Sequence, residues 1–167
     1  KLVGKYNFTN FLAAIAIGLY LNVDKNEINK ALTEYKPSNN RSQVTVTKNN
    51  TIIVDCYNAN PSSMFSALES FKEIENGNKI AILGDMLELG NISQQEHQKT
   101  VDYLEEHALT AYLVGPEFKK TNTNNAIFST TEELISYLNS HSISDSLILL
   151  KGSRGIQLEQ VLEMKNI

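Results

Sequence analysis

Lys151-Gly152-Ser153-Arg154-Gly155 has the chemically most suggestive spacing in the chain. Glycines on both sides of Ser153-Arg154 let the backbone turn tightly and expose N–H groups where a helix is expected to begin. Such a start carries about half a positive charge and takes anions readily. Lys151 adds a full charge, so a carboxylate or phosphate is the natural guest. The plainer alternative is a strand-to-helix turn with a solvated lysine. A phosphate-binding P-loop is a different object, GxxxxGK[ST], and neither it nor GxGxxG occurs anywhere in the chain.

A second reactive grouping is Asp55-Cys56-Tyr57-Asn58-Ala59-Asn60-Pro61. An acid at a strand end can accept both hydroxyls of a ribose, and the amides of Asn58 and Asn60 offer donors and acceptors to a peptide-like ligand. An Asx-rich turn capping the next helix explains the same residues without a ligand. Gly84-Asp85-Met86-Leu87-Glu88-Leu89-Gly90 is equally two-sided, since Asp85 and Glu88 can simply cap and solubilise a loop. His97 lies where it could face this edge, although a lone helical histidine is commonly structural; His107 and His141 fall on exposed helix ends. Cys56 reads as packing, because no histidine in the motif could activate it.

The elements that must position these groups follow from hydrophobic period. Residues 7–21, NFTNFLAAIAIGLYL, form a helix apolar nearly all round, expected to be buried on several sides. Asp24 caps a short second helix with Ile28, Ala31 and Leu32 inward, and Pro37 ends this helical lead-in. The period then becomes two: 42–48 and TIIVDCY make a hairpin turning at Asn49-Asn50. Strands at 79–85, 110–115, 126–128 and 146–152 alternate with helices after Pro61, over 93–107, over 130–140 and over 155–164. Ser93/Glu96 and Thr130/Glu133 are spaced as capping boxes. The alternation predicts an α/β three-layer sandwich, its sheet mostly parallel with an antiparallel hairpin strand at the start. Ligands in such sheets bind beyond the carboxyl ends of the strands, so 55–61, 84–90, 114–115 and 151–155 are expected on one rim.

The chain's 167 residues suit one domain, and 41% hydrophobic content is enough for a substantial core. With 15 basic against 19 acidic residues and no long Lys/Arg run, nucleic acid is not an expected partner. One cysteine excludes an internal disulfide. No apolar run reaches the ~18 residues of a membrane span, so no membrane is expected either. The chain opens on KLVGKYN without methionine, which suggests a piece of a longer protein.

GKYNFTNFLAA at 4–14, NRSQ at 40–43, DCYNANPSSM at 55–64, LGDMLELG at 83–90 and LLKGSRG at 149–155 together resemble, in order, the Mur ligase family. YNANP, LGDMLELG and KGSRG are the segments most similar to its D-alanyl-D-alanine-adding branch. The resemblance implies a Rossmann-like domain at 37–167, the C-terminal one of three. Residues 1–36 would be a lead-in continuing from a central ATPase domain that holds the P-loop and Mg2+. It also implies a bacterial cytoplasmic enzyme that uses ATP to join D-alanyl-D-alanine to a UDP-N-acetylmuramoyl-tripeptide through an acyl phosphate. By position, Asn7 and Asn10 match asparagines at the adenine, Arg41 an arginine reaching ATP, and Asp55 the acid at the ribose. Tyr57, Asn58, Asn60, Lys151, Gly152 and Ser153 would line the dipeptide side, with Arg41 and Lys151 as the catalytic cations. Tyr6 stands where histidine is usual, Asn40 where glycine is, and Cys56 where alanine is common. A stand-alone nucleotide- or peptide-binding regulatory module and a folylpolyglutamate synthetase-like ligase domain are the competing readings.

Overall fold

Near-continuous apolar runs in three strands build the centre of the molecule. The computed structural model describes residues 7–37, 39–75, 77–165 and 167; the expectations for residues 1–6, Tyr6 included, lie outside them. β2 (Asn50–Asp55), β3 (Lys79–Gly84) and β6 (Ser146–Lys151) are buried along almost their whole length. Successive strand side chains point to opposite faces. Ile53, Ala81, Leu83, Leu147 and Leu149 therefore join one apolar cluster, while Ile52, Val54, Ile80, Ile82, Ile148 and Leu150 join another.

With β1 (Gln43–Val46), β4 (Thr110–Val114) and β5 (Ala126–Phe128), the sheet has six strands in the order β1-β2-β6-β3-β4-β5. Only the β1–β2 hairpin pairing is antiparallel. The steps β2→β3 and β3→β4 run one way across the sheet and β5→β6 runs back. A constant right-handed crossover then puts the returning helix on the opposite face. This is what is found: α3 (Pro61–Glu73) and α4 (Ser93–Glu106) supply Met64, Leu68, Phe71, Val101 and Leu104 to the first cluster. α5 (Thr131–Ser140) supplies Leu134 and Leu138 to the second. The expected α/β sandwich, mostly parallel with its antiparallel hairpin, is the observed fold.

Local signals fare unevenly. Asn60 caps α3 with a reciprocal box to Ser63, and Pro61 occupies the first turn. Thr130 accepts the Glu133 N–H as expected, but the Glu133 carboxylate takes the N–H of Ser129. The Ser93/Glu96 box does not form: Ile92 is the cap residue, and the Ser93 hydroxyl donates to Glu117 Oε2 at 2.8 Å. The helix expected at 155–164 is two 3-10 segments, Arg154–Ile156 and Leu158–Glu163, separated by Gln157 at φ 59°. A left-handed residue cannot continue an α-helix. The turn at 151–155 therefore lacks the long helix dipole that its glycines suggest.

The lead-in differs most from expectation. α1 (Asn7–Tyr20) packs on α2 (Lys25–Glu34), close enough that a Cβ on Gly18 would sit 2.9 Å from Ile28 Cδ1. Asp24 caps α2 through the Asn26 N–H. Yet α1 is not buried on several sides: Phe8 is 65% exposed and Ile17 60%. One stripe of an all-apolar helix suffices to meet α2, and Asn7 at its start meets Ser42, while Phe8, Leu12, Ile17, Leu19 and Tyr20 stay exposed among the described residues. No helix among them is long and apolar enough to cross a membrane.

Candidate functional site at the carboxyl edge of the sheet

Asp55 and Lys151 end neighbouring parallel strands in direct register, so their side chains leave the sheet together. Lys151 Nζ meets Asp55 Oδ2 at 2.5 Å, with the lysine side chain 1% exposed and the aspartate 14%. A cation that buried is tolerable only with a close partner. Asp55 Oδ1 accepts the Ser42 N–H at 3.1 Å, and the Ser42 hydroxyl accepts from Asn7 Nδ2 at 3.2 Å. The start of α1, the loop before β1 and the ends of β2 and β6 are thus joined by one chain of polar contacts.

That chain floors a cleft of ≈ 280 Å³. Asn7, Asn10, Arg41, Tyr57, Asn58 and Asn60 line it together with Asp55 and Lys151. Arg41 lays its guanidinium 3.9 Å from the Tyr57 ring centroid, a cation–π contact at an exposed site. Asn40, preceding it, sits at φ 55°, a left-handed backbone that asparagine tolerates better than most residues. Asparagine can therefore occupy this position where glycine is usual.

The amides divide their duties. Asn58 Oδ1 accepts the Ala59 N–H at 2.9 Å and Asn60 Oδ1 accepts the Ser63 N–H at 2.9 Å. The capping explanation therefore holds for Asn60, while the Asn58 oxygen makes only a contact to the next residue; both residues border the cleft. Gly152 and Ser153 are buried and are not among the residues lining it. A Cβ on Gly152 would come within 2.9 Å of Gly84 Cα, so that glycine permits strand ends to approach. The Ser153 hydroxyl accepts the Leu87 N–H at 2.9 Å. Sequence reasoning missed Ser42 and Ser63, which also line the cleft. The only signal for them was adjacency to Arg41 and a box-like spacing from Asn60.

The loops at 84–90 and 114–115 stand at the same carboxyl edge but do not line the cleft: Gly84, Asp85, Met86, Val114 and Gly115 are buried, while Leu87, Glu88 and Gly90 are exposed. Asp85 is fully buried and accepts the N–H groups of Glu117 and Phe118 at 2.8 and 3.0 Å. Burial pushes its carboxyl above the ordinary range, against the pull of those two N–H groups and of His97. Gly115, at φ 130°, lies so close that a Cβ would strike the Asp85 carboxylate at 2.3 Å. His97 Nε2 accepts the Met86 N–H at 3.0 Å and Nδ1 donates to the Ser93 carbonyl at 2.7 Å. His97 Nε2 also lies 3.6 Å from Asp85 Oδ1. Cys56 is buried, and burial first, then the charges of Glu159 and Asp55, push its thiol up to about 12. It has no access to thiolate chemistry at neutral pH.

An α/β domain with a cation-rich, amide-lined cleft beyond its strand ends is the class that this geometry defines. The chain belongs to the Mur ligase family: the model described as Mur ligase, glutamate ligase domain, matches residues 40–154. It is similar to the UDP-N-acetylmuramoyl-tripeptide–D-alanyl-D-alanine ligase of Rickettsia prowazekii, 35% identical over 94% of this chain and 36% of that protein. MurF from Acinetobacter baumannii superposes with TM-score 0.79 at 31% identity, covering 96% of this chain and 37% of the other. MurF ligase from Thermotoga maritima in complex with ADP superposes at 0.82 over 99% of this chain and 39% of the other; its 24% identity speaks to the fold alone. The chain thus spans little more than a third of the length of these proteins.

Proposed function

We propose that this chain is the C-terminal domain of a bacterial, cytoplasmic ATP-dependent ligase that adds D-alanyl-D-alanine to a UDP-N-acetylmuramoyl-tripeptide. The observation that carries this reading is the single cleft joining Asn7, Arg41, Asp55, Asn60 and Lys151, residues drawn from four separate segments. Relatives named for this activity, at about a third identity over nearly the whole chain, support it.

The chemistry asks for two kinds of contact. ATP passes its terminal phosphoryl group to the tripeptide carboxylate, giving ADP and an acyl phosphate. The dipeptide amine then attacks the acyl carbon, and phosphate leaves as the amide forms. Arg41 would steady charge on the phosphates as it develops. Asn7 and Asn10 would approach the adenine. Asp55 would accept from the ribose, since a carboxylate has about four acceptor positions and only two are taken here. Tyr57, Asn58 and Asn60 would border the dipeptide, leaving its amine free. Gly152 and Ser153 would act on that side by setting the loop. Lys151 would act by fixing Asp55 and the local potential. Mg2+ would accompany ATP; the described residues hold no group of three or more His, Cys, Asp or Glu suited to a metal, and we assign the ion to the central domain. The boundary near residue 37 and the exposed face of α1 suit a lead-in covered by that domain. Such contacts act only after closure over the nucleotide.

The test is the full-length protein with ATP, UDP-N-acetylmuramoyl-tripeptide and D-alanyl-D-alanine. Amide product and phosphate should appear together, and Arg41→Ala should cut kcat on the order of 10²-fold. ATP consumption with glutamate but not with the dipeptide would overturn the reading in favour of a folylpolyglutamate-type ligase. The isolated chain should bind ATP with Kd of about 1 mM or weaker, because only ~4 kcal/mol is left to it without the phosphate site.

A further inference from the structure

Lys151 and Asp55 neutralise one another at 2.5 Å, so the positive charge open to an anion in the cleft has to come from elsewhere. Two guanidinium groups supply it. Arg41 and Arg154 approach the same Tyr57 ring, 3.9 and 5.9 Å from its centroid. Neither has a carboxylate partner among the described residues. Like charges gathered near one ring repel, and an anion bound beside them lowers that cost.

The backbone beneath Arg154 is fixed while its side chain is exposed. The Ser153 N–H donates to the Asp85 carbonyl at 3.1 Å, and the Ser153 hydroxyl takes the Leu87 N–H. On the other side, a Cβ on Gly155 would meet Leu87 Cδ1 at 2.8 Å. A rigid base under a long planar fork suits bidentate capture of a carboxylate, which a lysine ammonium cannot match.

We propose that Arg154 is a specificity-determining residue that grips the terminal carboxylate of the incoming dipeptide, while Arg41 serves the phosphates. This rests on the ligase reading above. Arg41 borders the cleft together with Asn7 and Asn10, whereas Arg154, on the loop after β6, approaches the Tyr57 ring at the cleft's border without lining the cleft itself. Holding the dipeptide by its far end leaves the amine unencumbered for attack.

Steady-state kinetics on the full-length enzyme test this. Arg154→Gln should raise KM for D-alanyl-D-alanine about 10–100-fold, the range for losing a charge-assisted hydrogen-bond pair, and leave KM for ATP unchanged. Arg154→Lys should recover only part of the loss. The unmodified enzyme should reject the dipeptide C-terminal amide, and Arg154→Gln should accept amide and acid alike. A rise in KM for ATP instead would make the anion a nucleotide phosphate and overturn the proposal. Unchanged kinetics in both variants would overturn it too. An unmodified enzyme that fails to join the dipeptide at all sinks the ligase reading and this inference together; an active enzyme with silent variants sinks only this inference.

Discussion

Two aspartates stand just past strand ends on the same sheet edge, and they have opposite uses. Asp55 ends β2 at the floor of an open cleft, its oxygens on a lysine ammonium and one backbone N–H. Asp85 follows β3 in a dry pocket, its oxygens on the N–H groups of Glu117 and Phe118, with His97 alongside. Asp55 retains acceptor positions toward the cleft, while Asp85 is closed off from it. The partners decide the role: a cation and an open mouth make a site, and backbone donors with a glycine pressed against the carboxylate make a scaffold.

The largest effect that separates them is on stability. Asp55→Asn leaves the Lys151 ammonium buried without a counter-charge, and chemical denaturation should show a loss of about 3–5 kcal/mol. Adding Lys151→Met should restore most of that, because no unpaired charge is then left buried. If the double variant is as unstable as the single one, the pair is not what the site floor depends on.

Asp85→Asn should cost less, about 1–3 kcal/mol, since the amide oxygen can still accept one N–H and only the other is orphaned. Substrate KM values in the full-length enzyme should stay near those of the unmodified protein. A variant that folds normally but loses the dipeptide would move Asp85 from the scaffold into the site.

The effect that vanishes at neutral pH tests the dry side of the Asp55 strand end. The folded chain keeps the Cys56 proton up to about 12, while the unfolded chain releases it above the ordinary 9.0. The unfolded state therefore binds fewer protons in that window. The stability contributed by Cys56 is full below pH 9.0 and falls by ~1.4 kcal/mol per pH unit as pH rises through it. Comparison with Cys56→Ala isolates the slope from other groups, and equal slopes would mean that the thiol is wetter than its burial implies.

Strand positions were legible because both faces of the sheet are covered: KIAILG and SLILLK are apolar almost throughout, and only buried parallel strands require that. The Asn60–Ser63 cap was half legible as an Asx-rich turn before proline. The end of the chain was not legible, because apolar spacing over 155–164 is the same for an α-helix and for two 3-10 turns broken at Gln157. Ser93 failed as a cap for a tertiary reason: Glu117, 24 positions on, takes its hydroxyl. α1 misled because an all-apolar helix implies cover on every side without saying which chain segment supplies it.

The sequence by itself determined the strand order of events, the two-sided core and the motif residues, since these follow from local period and residue type. It also carried the likeness to Mur ligases. Only the tertiary structure decided that Lys151 belongs to Asp55, that Ser42 joins them to Asn7, and that Arg154 shares an aromatic ring with Arg41. Those contacts depend on tertiary placement, the Lys151–Asp55 pair joining strands 96 positions apart, and no local pattern encodes where a parallel strand will be inserted.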